Sequence, residues 1–491
     1  MQYEAKIPGL LQGKDRMLIG GEWSKSLSGR SLPTYDPARE EKLWEVPLAL
    51  EEDVDRAAAA AQNAFRSWRK LDPFERAQKV TALANALRQH AEDFAILDAI
   101  DSGNPVTAMK GDVLMAAAIM EYFAGLAGEL RGEVVPGKPG MLHTVFREPY
   151  GVVARIIPFN HPIFFAACKI AAPLVAGNTL ILKPAEQTPL SALEMGKYAQ
   201  EIFPPGVLNI ITGDGPATGT ALVKHPKIKR ISLTGGVETG RNVLRLAAEQ
   251  SIKYITLELG GKNPMIVFPD VEISKAVESA VVGMNFHWCQ GQSCGSTSRL
   301  FLHRKIHDEF LERLIQRAAG IKIGLPLDPA AEMGCLVSKD QYEKTMGYIE
   351  LGKKEGAMLV AGGSRPKSEI FAKGYFVEPT IFDRVEMSMR IAREEIFGPV
   401  LSVLTWEDYE EVIDRANSVD YGLTASIWTR DLGLAYRTAE QLEAGYIWIN
   451  GSSRHFLGVP FGGYKQSGIG REESVEELLS YVQSKAVNTA L

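Results

Sequence analysis

Residues 151–182 read GVVARIIPFNHPIFFAACKIAAPLVAGNTLIL and form the most apolar stretch of the 491-residue chain. Arg155 and Lys169 interrupt it, so it contains no run of about 20 uncharged apolar residues that could span a membrane. Its two β-rich ends, Val152–Ile157 and Thr179–Leu182, flank residues suited to a helix. This pattern predicts a buried strand–helix–strand unit.

Similar alternation of short β-rich runs and helical stretches continues along the chain and predicts parallel sheets with crossover helices. The further runs are Val207–Ile211, Ile228–Leu233, Tyr254–Leu257, Met265–Phe268, Ser298–His303, Val400–Thr405, Thr424–Trp428 and Tyr446–Ile449. They fall into two α/β units joined near residues 258–262. Residues 131–147 and the last fifteen or so residues lie outside both series and are predicted to form a small β appendage for subunit contact.

Composition and charge exclude several classes of protein. The chain has 54 Lys and Arg against 60 Asp and Glu, a net charge of −6, which argues against binding to nucleic acid or to an anionic membrane. Its first residues lack the apolar core of a secretory signal, so a cytoplasmic location is expected. Four cysteines are too few for a disulfide framework. Cys289 and Cys294 lack the second ligand pair of a zinc site, so no metal is predicted.

Glycine turns and a charged pair mark a candidate cofactor cleft. Thr234-Gly235-Gly236 follows a β-rich run and precedes a helix, and a second glycine turn spans residues 213–219. Two such turns in one sheet favour a nucleotide cleft over plain tight turns, because helix N-termini bind phosphate. Lys183 and Glu186 follow another strand, where a carboxylate would bind ribose hydroxyls and repel a 2′-phosphate, favouring NAD over NADP. A surface ion pair is the alternative interpretation of these two residues.

Two further segments contain candidate reactive groups. Glu258 lies between leucines in LELGGKNP, at the end of an apolar run, and burial raises the pKa of such a carboxyl until it is a usable base near neutral pH. A buried pair with Lys262 is the alternative. Cys294 lies among small residues in QGQSCGS, which would leave a nucleophilic thiol accessible. The alternative there is a cysteine that merely packs.

Taken in order, these segments and several others resemble the aldehyde dehydrogenase superfamily along nearly the whole chain. The motifs are IGGEW (19–23), REPYGVV (147–153), PFNHP (158–162), LKPAEQTP (182–189), LELGGK (257–262), GQSC (291–294), EEIFGPV (394–400) and PFGGYKQSG (460–468). The resemblance implies an α/β fold of two doubly wound domains, a Rossmann-like NAD-binding domain and a catalytic domain, with a small β oligomerisation appendage. The implied limits are 1–130 and 150–259 for the NAD-binding domain, 260–460 for the catalytic domain, and 131–149 and 475–491 for the appendage.

The resemblance also implies roles for individual residues. Cys294 matches the nucleophile that attacks the aldehyde carbon, and Asn160 matches the side-chain amide of the oxyanion hole. Glu258 matches the base that activates water to hydrolyse the thioester, as in the hydrolytic, non-acylating type. The expected partners are a small aldehyde and further copies of the chain, as a homodimer or homotetramer. The residues that match cofactor contacts, with NAD as the cofactor, are Pro158, Phe159, Lys183, Glu186, Gly215, Pro216, Thr234, Gly235, Gly236, Leu259, Glu395 and Phe397.

Some positions depart from the family's pattern. Cys289 stands where the family usually has Asn, which makes the path of the loop before Cys294 less predictable and places a second thiol near the site. Gly236 and Val237 stand where Ser and Thr are common. His161 and Cys168 replace larger aromatic residues, which implies a wider or more polar substrate tunnel.

The substrate itself stays open at this point. An aldehyde bearing a carboxylate would suit Arg454, whereas an aromatic one would suit the phenylalanines. The residues expected to line the tunnel are Phe165, Cys168, Arg454, His455 and Phe461. Two other functions compete with NAD-dependent aldehyde oxidation: an NADP-preferring semialdehyde dehydrogenase, and a catalytically silent relative that acts as a binding or structural protein.

Overall fold

Two mainly parallel sheets organise the protein in the computed structural model, which describes residues 3–491. The strands are β1 (Met17–Ile19), β2 (Glu22–Ser24), β3 (Ser31–Asp36), β4 (Glu41–Pro47), β5 (Glu133–Val135), β6 (Met141–Pro149), β7 (Val152–Ile156), β8 (Thr179–Lys183), β9 (Leu208–Ile210), β10 (Ile228–Thr234), β11 (Tyr254–Glu258), β12 (Pro264–Val267), β13 (Arg299–His303), β14 (Met358–Ala361), β15 (Thr380–Asp383), β16 (Val400–Trp406), β17 (Tyr421–Gly422), β18 (Thr424–Trp428), β19 (Tyr446–Ile449), β20 (Tyr464–Lys465), β21 (Gly468–Ile469) and β22 (Val482–Ala490). All ten β-rich runs of the sequence analysis are strands, within one or two residues at each end.

Helices cover both faces of these sheets. They are α1 (Ile7–Leu11), α2 (Glu51–Trp68), α3 (Pro73–Gln89), α4 (Ala91–Ser102), α5 (Val106–Gly125), α6 (Pro162–Val175), α7 (Leu190–Ile202), α8 (Thr220–Lys224), α9 (Val237–Gln250), α10 (Ile273–Gly283), α11 (Phe286–Cys289), α12 (His307–Ala319), α13 (Lys339–Lys354), α14 (Arg390–Arg393), α15 (Tyr409–Asn417), α16 (Leu432–Gln441) and α17 (Val475–Leu479). Local sequence explains many of the boundaries. Asp72, for example, caps α3 by accepting a hydrogen bond of 2.8 Å from Phe74 N, and Pro73 takes the first helical position.

The first sheet has the strand order β2-β1-β9-β8-β7-β10-β11-β21, in which β9 to β11 run parallel. From β7 the chain moves outward through β8 to β9, and it then returns to the other side of β7 with β10. The order therefore reverses at β7, and a crevice opens there at the carboxyl ends of the strands, where open α/β sheets bind their ligands. Apolar side chains fill both faces of this sheet.

The second sheet has the order β14-β15-β16-β13-β12-β18-β19 and is parallel except at β14. Its order reverses at β12, and apolar clusters again cover both faces. Only five residues separate the end of β11 at Glu258 from the start of β12 at Pro264. This short link directs the amino ends of the second sheet toward the carboxyl ends of the first.

A third, antiparallel sheet has the order β22-β6-β5 and forms the predicted β appendage. Strand β22 pairs with β6 along its whole length, from Val482 with Pro149 to Ala490 with Met141. The limits of the domains themselves stay a prediction. The sequence analysis did not predict several strands. They are the hairpin β3–β4, the edge strands β1 and β2, and the strands β14 and β15.

One stretch among residues 3–491, Val106–Leu130, is long and apolar enough to cross a membrane, judged by its length and composition alone. A core helix meets the same criteria. In this protein α5, which forms most of that stretch, packs against α3, α4 and α6.

Candidate active site

The loop that carries Cys294 runs between α10 and β13, at the amino end of the second sheet. Asn263, just before β12, donates hydrogen bonds from Nδ2 to Cys294 O (2.7 Å) and to Ser296 O (2.9 Å). The backbone around the thiol is therefore fixed to the link between the two sheets. The Cys294 side chain is partly exposed, in contrast to Cys168, Cys289 and Cys335, which are buried.

The electrostatic surroundings favour the neutral Cys294 thiol. Its desolvated position, and then the carboxyl groups of Glu258 and Glu395, raise its pKa well above the usual value, while Lys169 acts in the opposite direction. The thiol thus lies among acidic groups that are able to accept a proton. To act as a nucleophile, the Cys294 thiol would therefore need to give its proton to a neighbouring base.

Asn160 follows β7 and brings its amide to the same loop. The side-chain Nδ2 of Asn160 donates to Gln292 O at 2.8 Å. The backbone carbonyl of Asn160 accepts a hydrogen bond from Asn104 Nδ2, also at 2.8 Å. An amide nitrogen has two N–H groups, so one remains for a further acceptor. The carboxyl end of β7 and the loop that carries the nucleophile therefore meet at Asn160.

Glu258 is the last residue of β11, and its side chain is buried. Burial, and then repulsion from Glu472, raise its pKa well above the usual range, although Lys169 opposes the shift. Among residues 3–491 neither Glu258 Oε1 nor Lys262 Nζ has a hydrogen-bond partner. The alternative of a buried pair between Glu258 and Lys262 is therefore wrong.

A buried charge network lies beside Glu258. Glu472 pairs with Lys169 (Oε2 to Nζ, 2.5 Å) and with Arg155 (Oε1 to Nη1, 3.1 Å), and Arg155 also pairs with Glu477 at 2.6 Å. Burial alone would raise the pKa of Glu472, but the two cations outweigh it and hold that pKa below its usual value. The signal available in the sequence was Arg155 itself, a charged residue inside the apolar strand β7.

The predicted phosphate turn closes one side of a cleft of about 580 Å³. Gly235 N donates to Glu258 O at 3.0 Å, so the turn after β10 is joined to the end of β11. Gly236 caps α9, and a Cβ atom at Gly236 would meet nothing within 4 Å, which leaves space over the helix N-terminus. The cleft is lined by Gly236, Val237, Glu238, Thr239, Arg241, Lys344, Arg393, Glu394, Glu395, Ser418, Val419, Asp420, Tyr421 and Gln466.

Lys183 and Glu186 lie at the carboxyl end of β8, as predicted. Lys183 is buried and approaches Glu186 Oε2 to 3.7 Å, while the Glu186 side chain is 41% exposed. Burial lowers the pKa of Lys183, and Glu186 partly restores it. The exposed carboxylate is free to accept hydrogen bonds from a ligand as well as from Lys183.

The other predicted cofactor residues lie at the carboxyl ends of the first sheet or just across the cleft. Gly215 and Pro216 begin the π turn Gly215–Gly219, which Asp214 caps through Ala217 N at 2.7 Å. Pro158 and Phe159 follow β7, Thr234 ends β10, and Leu259 follows β11.

On the far side of the cleft, Glu395 Oε1 accepts a hydrogen bond of 2.9 Å from Gly261 N. The Phe397 ring meets the Phe159 ring edge-on at 5.7 Å. The segment that contains Glu395 and Phe397 therefore contacts both the link between the sheets and the residues after β7.

The predicted substrate residues divide into a buried and an exposed group. Phe165, Cys168 and Phe461 are buried, the first two on α6. The His455 ring is tilted against the Phe461 ring, with centroids 4.6 Å apart, and His455 pairs with Glu473 at 2.9 Å. Arg454 is exposed and holds its guanidinium over the Phe456 ring at 5.3 Å. Among the residues predicted to line the substrate tunnel, Arg454 thus places its charged group on the solvent side.

No group of three or more His, Cys, Asp or Glu side chains within residues 3–491 is arranged to hold a metal ion.

Comparisons with known proteins identify the family of this chain. Residues 23–487 match the model of the aldehyde dehydrogenase family. Aldehyde dehydrogenase tropH of Talaromyces stipitatus is 45% identical over 482 residues, which cover 97% of this chain and 93% of that protein.

Solved structures agree as well. The NAD⁺ complex of an aldehyde dehydrogenase from Bacillus cereus has a TM-score of 0.95 and 41% identity and covers 99% of this chain and 98% of its own. Betaine aldehyde dehydrogenase (betB) from Staphylococcus aureus, in complex with NAD⁺, has a TM-score of 0.96 and 37% identity and covers 100% and 98%. The predicted fold class is confirmed, and the chain belongs to the aldehyde dehydrogenase family.

Proposed function

We propose that this enzyme oxidises an aldehyde to the carboxylic acid with NAD, with Cys294 as nucleophile, Asn160 as oxyanion ligand and Glu258 as base. The observation that carries the proposal is the meeting of these three groups where the carboxyl ends of the first sheet face the amino end of the second. A thiol, an amide donor and a buried carboxyl are the groups that covalent oxidation of an aldehyde requires.

In the first step the Cys294 sulfur forms a bond to the aldehyde carbon, and the carbonyl π electrons move to the oxygen. The thiol is neutral before the reaction, because its desolvated position and the adjacent carboxyl groups raise its pKa. Its proton therefore moves to a neighbouring base as the carbon–sulfur bond forms. The Asn160 amide donates its free N–H to the oxyanion that forms, together with the backbone N–H of Cys294. Donors placed where charge develops stabilise the transition state.

In the last step Glu258 removes a proton from water, and the resulting hydroxide adds to the thioester carbon. The carbon–sulfur bond then breaks, which releases the acid and returns Cys294. Glu258 is suited to this step because burial raises its pKa and one of its oxygens has no protein partner within residues 3–491.

NAD fits the cleft beside these groups. The open space over Gly236 at the N-terminus of α9 suits a pyrophosphate, and Glu186 and Glu395 suit the two riboses. When bound, NAD supplies the acceptor for the two electrons and the hydrogen that leave as the thiohemiacetal becomes a thioester.

Glu186→Gln tests the preference for NAD over NADP. The variant keeps the size of the side chain but removes the charge that repels a 2′-phosphate. We expect kcat/KM with NADP to rise by about tenfold, which corresponds to about 1.4 kcal/mol, while kcat/KM with NAD falls. Initial rates with both cofactors measure this. Glu350→Gln is the control, because Glu350 is an exposed carboxylate that pairs with a lysine three residues away and does not line the cleft. An unchanged ratio in Glu186→Gln would remove Glu186 from cofactor selection.

The overall proposal is tested with NADH absorbance across aliphatic, aromatic and carboxylate-bearing aldehydes, each with NAD and with NADP. Turnover of any aldehyde, with the acid as product, supports the proposal. A preference for aromatic substrates would point to Phe165 and Phe461, whereas a preference for carboxylates would point to Arg454. Confirmed NAD binding without turnover of any of these aldehydes would contradict it.

The rate of thioester hydrolysis is expected to rise with pH. Glu258 has to be ionised to act as a base, and its pKa is raised well above its usual value, so the active form accumulates as pH increases through that raised pKa. Steady-state turnover after a burst, measured between pH 6 and 9, reports this step. A rate that is flat over the whole range would contradict the role of Glu258.

We also propose assembly into a homodimer or homotetramer through the sheet β22-β6-β5. Val134 is 70% exposed and Phe146 is 51% exposed on this sheet, with other apolar side chains beside them. Exposed apolar patches of this kind mark association surfaces. Light scattering on the unaltered protein and on Phe146→Asp tests the proposal, and a monomer in both would contradict it.

A further inference from the structure

The loop before Cys294 has an unusual backbone. Asn285, Trp288, Gln290 and Gly291 all have positive φ, at 55°, 78°, 54° and 72°. Such conformations disfavour residues other than glycine and persist only where surrounding contacts hold them. Trp288 is the most demanding of these, because its ψ is −69°. Contacts made by its side chain are therefore needed to hold this loop.

One of those contacts is with Asp112, in the middle of α5. Trp288 Nε1 donates to Asp112 Oδ1 at 2.9 Å, and His161 Nδ1 donates to Asp112 Oδ2 at 2.8 Å. Asp112 is 2% exposed, so its carboxylate is shielded from bulk water, whereas Trp288 is 39% exposed. The His161 ring also meets the Trp288 ring edge-on at 5.9 Å. Asp112, His161 and Trp288 together form what we call the Asp112 clamp.

The Asp112 clamp is a second connection between the same two segments that the hydrogen bond from Asn160 to Gln292 O joins. His161 directly follows Asn160, whose amide donates to Gln292 O in the same loop. The segment after β7 is thus tied to the nucleophile loop twice, once directly by Asn160 and once through Asp112. If the second tie is lost, the hydrogen bond from Asn160 to Gln292 O alone holds the Asn160 amide against the loop of Cys294.

The charge on His161 strengthens the Asp112 clamp as well. Burial alone would lower the pKa of His161, but Asp112 and then Cys289 outweigh it and raise that pKa well above the usual value. The Asp112 contact is therefore a charge-assisted hydrogen bond at neutral pH, which is stronger than a neutral one.

We infer that Asp112 is a positioning residue for aldehyde oxidation, which holds the Trp288 turn and His161 so that Asn160 and Cys294 keep their reactive geometry. The inference rests on the proposed function and adds a residue to it. Asp112 itself touches neither Cys294 nor Asn160, so its effect passes through the two aromatic side chains that it binds.

The test compares Asp112→Asn with Asp53→Asn in the full-length protein. Asp53 is the control, since it is also buried and accepts hydrogen bonds with its carboxylate, from Ser26 Oγ (2.7 Å), Leu27 N (3.1 Å) and Leu50 N (3.3 Å). We expect Asp112→Asn to lower kcat by about 10- to 100-fold, as small misplacements of reacting groups do. The KM for NAD should stay within about twofold, and Asp53→Asn should keep the kcat of the unaltered enzyme.

Trp288→Phe provides a second variant, which keeps an aromatic ring at this position but removes the indole N–H group. Combined with Asp112→Asn it should cost no more than Asp112→Asn alone, because the two residues share one interaction. A folded Asp112→Asn variant with kcat within about twofold of normal would overturn the inference, as would purely additive effects or an equal loss in Asp53→Asn.

Alkylation of Cys294 by iodoacetamide gives a readout that needs no turnover. We expect its rate to change several-fold in Asp112→Asn and to stay constant in Asp53→Asn. If the unaltered protein oxidised no aldehyde while alkylation still depended on Asp112, the proposed function would fail and the clamp would stand. An unchanged alkylation rate in Asp112→Asn would count against the clamp.

Discussion

Cys294→Ala is expected to abolish NADH formation, with a loss of at least about 10⁴-fold in kcat, because no covalent intermediate can form without the sulfur. Binding of NAD should persist, since the cleft along α9 and the contacts of Lys183 and Glu186 do not involve the thiol. Stopped-flow absorbance measures the loss of activity, and calorimetric titration with NAD measures the binding.

Two further cysteine variants make this result specific. Cys335→Ala removes a buried thiol in a cluster with Ala38, Phe371 and Phe376, and it should keep normal turnover. Cys289→Ala distinguishes the two thiols of the nucleophile loop, and we expect it to keep the burst of NADH. Activity in Cys294→Ala combined with its absence in Cys289→Ala would transfer the nucleophile to Cys289.

The strands could be predicted, and Glu258 and Cys294 could be proposed as reactive residues, because their signals are local. A β-rich run of four to seven residues is visible wherever both faces of a strand are buried, as in β7 and β8. Glu258 and Cys294 each lie in a short motif whose character, apolar in one case and small in the other, indicates chemistry without any knowledge of the fold. The resemblance then gave these local signals an order and assigned their roles.

The remaining features depend on contacts between residues that are distant in the sequence. Asp112 lies 49 residues from His161 and 176 from Trp288, and Arg155 lies 317 residues from Glu472. No local pattern distinguishes Asp112 from any other acidic residue on a helix. The hairpin β3–β4 was missed for a different reason: in β3 the polar residues Thr34 and Asp36 are buried and Tyr35 is exposed, so the apolar–polar alternation that indicates a strand is not visible.

Departures from the family's pattern gave the most informative sequence signals for this chain. His161 was noted as a replacement for a larger aromatic residue, and Cys289 as a replacement for Asn. The structure places Cys289 within hydrogen-bonding reach of His161, and His161 in turn binds Asp112. A position that breaks a family pattern thus points to a local rearrangement, although its partners emerge only from the structure.

Glu258→Gln is expected to form the acyl-enzyme and then to stall. The first step needs Cys294 and Asn160, whereas hydrolysis needs a carboxylate to remove a proton from water, which a neutral amide cannot do. The expected trace is a burst of about one NADH per subunit followed by turnover lowered about 10²- to 10³-fold, a typical loss for removal of a general base. Rapid mixing followed by acid quenching and mass spectrometry should find the acyl group on Cys294.

The result of Glu258→Gln is simple to interpret, because the change removes no hydrogen bond or ion pair that the structure shows within residues 3–491. One carboxyl oxygen is buried without a hydrogen-bond partner among residues 3–491, and no salt bridge there involves Glu258, so the amide breaks no ion pair. Glu476→Gln, a change in the first turn of the short helix α17, is the matched control and should keep normal steady-state turnover. Loss of the burst in Glu258→Gln would show that Glu258 acts before the thioester forms, and it would then be the base that accepts the Cys294 proton.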